Sequence, residues 1–170
     1  MLIAGGGTGW ILEDLYLQSL EGVEIDFVDN SAHMLRLASD RHLGRLDVHF
    51  REDNIFEFTP DRPYDIIFTP FLFDNFEAEE CRILFNRLDG FLKSGGWWMN
   101  CDFSINPRYG AWWKKMLLYQ MHLFFFVLAG VRTRSLTEDV ILFDGDGYIT
   151  EYEEYLYLYF ISGKVFTKKD

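Results

Sequence analysis

"MLIAGGGTGWILE", residues 1–13, decides how this chain is read. Three apolar residues, Leu2 to Ala4, run into Gly5, Gly6, Gly7, Thr8 and Gly9, and an amphipathic stretch opens at Trp10. The pattern is the end of a buried strand, a glycine turn and a helix. Backbone in such a turn can approach a ligand without side-chain obstruction. A phosphate, a dinucleotide and a sulfonium nucleoside all fit turns of this kind, and spacing separates them.

A nucleotide triphosphatase needs G-x-x-x-x-G-K-[ST], because its Lys reaches the terminal phosphates. No Lys occurs between residues 1 and 92. The dinucleotide fingerprint is G-x-G-x-x-G, whose third glycine allows close helix packing. From Gly5 that position is Trp10 and from Gly7 it is Leu12. Trp10 is expected to crowd the helix start where a pyrophosphate would sit. What remains is G-x-G-x-G: Gly5, Gly7, Gly9. Asp29 lies 20 residues after Gly9 and closes the next strand. A carboxylate there can accept hydrogen bonds from both hydroxyls of a ribose. Asp53 closes the third strand, where a carboxylate can receive an adenine amino group. Open α/β sheets bind ligands at these carboxyl ends of their strands.

The surrounding sequence supplies the sheet. Residues 23–30 ("VEIDFVDN"), 46–53 ("LDVHFRED") and 64–70 ("YDIIFTP") read as strands two to four, with Ser31 as the N-cap of the helix after the second. Apolar residues at 81, 84, 85, 88, 91 and 92 predict a helix over 78–92. "KSGG" breaks it, and "WWMNCDF" follows as a fifth strand. Strands alternating with helices imply a parallel sheet covered on both faces. Residues 109–130 read as one long or broken helix, and Ser135 with Glu138 as a capping box for another. Residues 148–169 then read as a hairpin turning at Ser162-Gly163, so one strand near the sheet's end is reversed. The expected fold class is α/β: a Rossmann-like, doubly wound, mostly parallel sheet of about seven strands with one antiparallel strand in a C-terminal hairpin. The whole of 1–170 is expected to be a single domain.

Composition narrows the partners. The chain has 170 residues, 49% hydrophobic and 18% aromatic, with a formal charge of −11. It is a globular composition. Nucleic acid is not expected as a partner, because its binders need a basic patch. Cys81 and Cys101 lack metal-ligand spacing and read as small core residues of a reducing, cytoplasmic protein. The four histidines, His33, His42, His49 and His122, form no ligand pattern. The apolar run Met116–Gly130 is too short for a stable membrane span, and Gln120 and His122 interrupt it. "DGDGYITEYEE" imitates a calcium loop, with Asp144, Asp146, Gly147, Ile149 and Glu153 in place. Leu142 stands where the first ligand belongs, and no helix pattern follows. No metal is expected.

The chain resembles the class I S-adenosylmethionine-dependent methyltransferases. "LIAGGGTG" is similar to their first motif, "DFVDNSAHML" to the acidic ribose motif and its helix, and "FREDNIFEF" to the adenine motif. "PYDIIFTPFLFDNF" is similar to the fourth strand and the loop beside the methyl group, and "LKSGGWWMNCDF" to the motif before the fifth strand. The resemblance implies S-adenosyl-L-methionine as cofactor, with Gly5, Gly7 and Gly9 on its methionine and ribose side and Asp29 on the ribose hydroxyls. It places Asn30 and Met34 at the adenine edge, Asp53 and Asn54 at the adenine amino group, and the Thr69 carbonyl near the ammonium. Two departures stand out: Ile3 occupies the position where the family often has an acid, and the usual N-terminal segment before the first strand is expected to be missing. The aminopropyltransferases share the fold but carry an acid where this chain has Thr8.

The resemblance implies methyl transfer, and the aromatic abundance around residues 97–126 suggests a small, apolar acceptor. The sulfonium methyl is already activated, so alignment does most of the work, and a base is needed only for a protonated nucleophile. No catalytic residue is identified. Phe71, Phe73, Asp74, Asp102, Tyr109, Trp112 and His122 are candidates for the acceptor pocket. "TPFL" after the fourth strand differs from the Asn/Asp-Pro-Pro-aromatic pattern of amino-group methyltransferases. The alternatives are an S-adenosylmethionine-binding protein without catalysis, an aminopropyltransferase, and an NAD-dependent oxidoreductase.

Overall fold

The computed structural model describes residues 1–18, 22–104, 142–143 and 147–170. Seven strands of those residues form one sheet: β1 (Leu2–Ala4), β2 (Glu24–Asp29), β3 (Asp47–Glu52), β4 (Tyr64–Pro70), β5 (Leu92–Phe103), β6 (Tyr148–Leu156) and β7 (Ile161–Lys168). Their order across the sheet is β3-β2-β1-β4-β5-β7-β6. The first five are mutually parallel, and β7 runs antiparallel to both neighbours, β5 and β6. The doubly wound sheet with one reversed strand is therefore present.

Helices α1 (Trp10–Leu17) and α2 (Ala32–Ser39) supply one core layer, in which Leu12, Leu35 and Ala38 pack with Ile3, Ile25 and Phe27 of the sheet. Helix α3 (Ala78–Asp89) supplies the other: Leu84 and Leu88 pack with Leu2, Val28, Ile67 and Trp98. Ser31 caps α2, its Oγ accepting from the Met34 amide at 3.4 Å. Glu77 and Glu80 form a reciprocal capping box on α3. On the α3 face Tyr64 reaches across β1 to Asp26, donating to Oδ2 at 2.8 Å, while Arg51 donates to Oδ1 at 2.7 Å. Burial and the Asp26 carboxylate push the Tyr64 phenol up, so it stays a donor.

Two boundaries differ from expectation. Helix α3 stops at Asp89 rather than Leu92, because Gly90 ends it and the chain enters β5 at Leu92, beside Tyr64. "KSGG" is a bulge inside β5: Tyr64 pairs with Leu92, yet Ile66 already pairs with Trp97, and Gly95 turns at φ +72°. The hairpin does not turn at Ser162-Gly163. Both lie within β7, opposite Asp102 and Cys101, and the chain reverses earlier, through Tyr157, Leu158 and Tyr159 at φ 51°, 57° and 64°. Three consecutive left-handed non-glycine residues are costly, about 1–2 kcal/mol each. Register decides the matter: Phe166 faces Trp98 across β5 and stacks on Phe143 at 4.0 Å, and a turn at Gly163 would forfeit that row.

The expected helix over 109–130 and the Ser135–Glu138 capping box lie outside the described residues, as do Asp144 and Asp146. Ile149 and Glu153 of the calcium-like stretch lie in strand β6, where a calcium loop would lead into a helix. Among the described residues no helix is long and apolar enough to cross a membrane.

Adjacent tryptophans test the face assignment of β5. Trp98 is fully buried, stacked on Phe85 at 5.0 Å, with its indole N–H on Thr69 Oγ1 at 3.0 Å. Trp97 is 52% exposed on the opposite face. Trp98→Ala is expected to lower unfolding free energy by about 3–5 kcal/mol, and Trp97→Ala by no more than about 0.5 kcal/mol, in denaturant titrations. Equal losses would contradict the assignment.

Candidate active site at the carboxyl edge of the sheet

The four glycines of the first turn are not glycine for one reason. A Cβ on Gly6 would lie 2.3 Å from Phe27 Cζ, and one on Gly9 2.7 Å from Ala38 Cβ. A Cβ on Gly5 would lie 2.8 Å from Leu72 Cδ1, which places the turn against the loop that follows β4. These three positions let the turn settle onto β2, α2 and that loop. Gly7 is different. Its φ is +55°, and a Cβ there would meet nothing within 4 Å. Among the described residues no packing requires its lack of a side chain, and they leave the space over it open for a ligand.

Asp29 governs the same turn. Its Oδ2 accepts from the Gly7 amide at 3.0 Å and its Oδ1 from the Ser31 amide at 2.9 Å. A carboxylate offers about four acceptor sites, so each oxygen keeps capacity for a further donor. The Asp29 carbonyl accepts from the Asp53 amide at 3.2 Å, which carries the β2–β3 ladder one step past the strands and sets Asp53 beside Asp29. Gly5, Gly7, Gly9, Asp29 and Asp53 thus share one edge of the sheet. Asn30 is exposed and Met34 half-buried at the start of α2. Asn54 has local work: its Oδ1 accepts from the Phe56 amide at 3.1 Å and shapes the turn after β3.

The Thr69 hydroxyl anchors that residue in the sheet, buried and donating to Asn100 Oδ1 at 2.6 Å. Some other expected residues sit in different surroundings. Phe73 is a core residue, 1% exposed and packed toward Trp98, rather than a pocket wall. Asp74 Oδ2 accepts from the Phe103 amide at 3.1 Å, tying the loop after β4 to the end of β5. Asp102 is buried on the α3 face, in register with Ser162. Ile3 is fully buried in the α1–α2 core, so no acid stands there. Tyr109, Trp112 and His122 lie outside the described residues. The indole of Trp10 does not crowd the turn: it is 68% exposed and lies against Arg41, whose Cζ is 3.9 Å from the ring centroid. The expected steric bar to a pyrophosphate is absent. The departure from the dinucleotide fingerprint lies instead in Gly9, which makes the close packing onto α2 one position early.

The structure joins to the expected Phe71 two residues that sequence reasoning missed, Phe103 and Phe160. Phe71, at φ 50°, is a strained aromatic directly after β4, held by its amide on the Cys101 carbonyl. Such outliers cluster at functional sites. Its ring lies 4.9 Å from that of Phe103, which lies 5.2 Å from Phe160. The row runs along the same carboxyl edge. Phe160 could be found only with the correct hairpin register.

A sheet of this order, with the glycine turn after β1 and an acid after β2, matches known proteins. Residues 1–96 match the methyltransferase domain family. The chain belongs to that family. A curated relative, malonyl-[acyl-carrier protein] O-methyltransferase 2 of Ilyobacter polytropus, is 32% identical over 96 residues, 56% of this chain and 36% of the relative. The chain thus spans about a third of that relative's length. Among solved structures, the mitomycin 7-O-methyltransferase MmcR superposes with TM-score 0.73 at 18% identity, over 98% of this chain and 48% of MmcR. Magnesium protoporphyrin IX methyltransferase from Synechocystis PCC 6803, with S-adenosylhomocysteine bound, gives 0.71 at 15% identity, over 99% of this chain and 73% of its own. At those identities the methyltransferase-domain likeness is one of fold.

The glycines can be told apart by rescue. Gly6→Ala is expected to cost about 1–3 kcal/mol through overpacking on Phe27, and Phe27→Leu in the same chain to recover part of it. Gly7→Ala is expected to cost about 1–2 kcal/mol of backbone strain, with no recovery from Phe27→Leu. Denaturant titration of the four variants measures both.

Proposed function

We propose that this methyltransferase-family domain binds S-adenosylmethionine at the carboxyl edge of its sheet and transfers the methyl group to a small, apolar acceptor. The carrying observation is the Asp29 carboxylate, which organises the Gly5–Gly9 turn and keeps acceptor capacity beside the open space over Gly7. The residues present fit the cofactor. Asp29 would accept from the ribose hydroxyls, Asn30 and Met34 would border the adenine, and Asp53 and Asn54 would meet its amino group. Gly5, Gly7 and Gly9 would underlie the ribose and the methionine chain, and the Thr69 carbonyl would face the ammonium. When bound, the cofactor supplies a methyl carbon already activated by its sulfonium.

The chain's own task is then to orient an acceptor and keep water out. Phe71 and Phe103, both half-buried, present aromatic surface along the relevant edge, with the buried Phe160 ring packed behind Phe103, which supports an apolar acceptor. Asp74 braces that edge through the Phe103 amide. In-line alignment supplies the catalysis.

Isothermal titration with S-adenosylhomocysteine and with NAD tests the reading. The expected result is binding of the first and none of the second. Tight dinucleotide binding without heat from S-adenosylhomocysteine would overturn it. Asp29→Ala is expected to weaken S-adenosylhomocysteine by roughly 1.5–3 kcal/mol, the range for hydrogen bonds to a charged group. Asp61→Ala, whose side chain is 93% exposed, should leave the affinity unchanged.

A further inference from the structure

One basic side chain engages the glycine turn at Thr8, one residue past the Gly7 amide that Asp29 holds. Arg41 follows α2, and its guanidinium is spent on three groups of another part of the chain. Nε donates to the Thr8 carbonyl, Nη2 reaches Thr8 Oγ1 at 3.5 Å, and Nη1 pairs with Glu13 Oε1 at 3.0 Å. Its face lies on the Trp10 ring at 3.9 Å. The side chain is only 14% exposed. A solvated surface cation would not be folded onto a carbonyl, a hydroxyl, a carboxylate and an indole at once.

We propose that Arg41 is a positioning residue that holds the Gly5–Gly9 turn in its ligand-accepting form. The need for it follows from the turn's composition. Gly5, Gly7 and Gly9 all sit at positive φ, and glycine loses the most conformational freedom on being fixed. Within the turn the Gly9 amide reaches the Gly6 carbonyl at 3.1 Å. The Gly9 carbonyl accepts from the Leu12 amide at 3.0 Å, and two side chains hold the segment besides, Asp29 on the Gly7 amide and Arg41 on the Thr8 carbonyl. The Arg41 amide donates to the Ala38 carbonyl at 3.3 Å, and Ala38 is the residue against which Gly9 packs. The end of α2 thus grips the turn through a backbone seat and a side-chain clamp. The planar fork suits this work, because its donors diverge in one plane while its face stacks on an aromatic ring. A Lys would reach one partner as a point charge.

This proposal rests on the reading of the turn as the cofactor's seat, and the experiment separates the two. Amide hydrogen exchange of the ligand-free protein is followed by NMR in wild type, Arg41→Ala and Arg41→Lys, and each is titrated with S-adenosylhomocysteine. The clamp predicts that Arg41→Ala speeds exchange at the Gly7 and Gly9 amides by about tenfold or more, the loss of a hydrogen bond to a charged group. Amides of the β6–β7 hairpin should not change. It also predicts a matching rise in Kd for S-adenosylhomocysteine and an intermediate position for Arg41→Lys. Unchanged exchange at Gly7 and Gly9, or exchange that rises equally in the hairpin, would overturn it. Exchange that rises only in the turn, in a chain whose wild type ignores S-adenosylhomocysteine, would uphold the clamp on the turn and overturn the cofactor reading instead.

Discussion

The bidentate grip of Asp29 on the Gly7 and Ser31 amides is the interaction around which this edge of the molecule is arranged. It joins the end of β2 to the turn after β1 and to the first residue of the α2 cap. Ser31 in turn accepts from Met34, so the start of α2 is set by the same carboxylate. Glycine at 5, 6 and 9 lets the turn approach closely enough for that grip, and Leu72, Phe27 and Ala38 fill the space those positions leave. The strand order then does the rest. With β1 central between β2 and β4, the turn lies between the acid after β2 and the aromatic loop after β4.

Much of this was legible because it is local. Leu2–Ala4, Tyr64–Pro70 and the Ser31 cap are written in short apolar runs and in cap chemistry, which depend on neighbours in sequence. The acid after β2 was legible from its spacing to the glycines. The misread features depend on partners far along the chain. "KSGG" looks like a break, yet it is a bulge because Tyr64 captures Leu92 before the glycines arrive. Ser162-Gly163 looks like a turn, yet Phe166 must meet Trp98 and Phe143, and the chain accepts three left-handed residues at Tyr157–Tyr159 to let it. Trp10 looked like an obstruction because nothing nearby in sequence announces Arg41 as the surface it lies on.

The proposed acceptor side follows a different logic from the proposed cofactor side. Around Gly7 the chain offers polar groups with spare capacity; along Phe71 and Phe103, backed by the buried Phe160, it offers aromatic faces and a strained backbone. The two meet where Leu72 touches Gly5. Family membership sets the expectation of methyl transfer, while the acceptor's character is argued from this second edge alone, since fold likeness does not carry substrate.

A crystal structure of the S-adenosylhomocysteine complex tests the central claim most directly. The account predicts both ribose hydroxyls within about 3 Å of the Asp29 carboxylate, hydrogen-bond distance, with the Gly7 amide still on Oδ2 and the ligand lying over Gly7. A ligand seated elsewhere, or an Asp29 that abandons Gly7 to make room for it, would contradict the account.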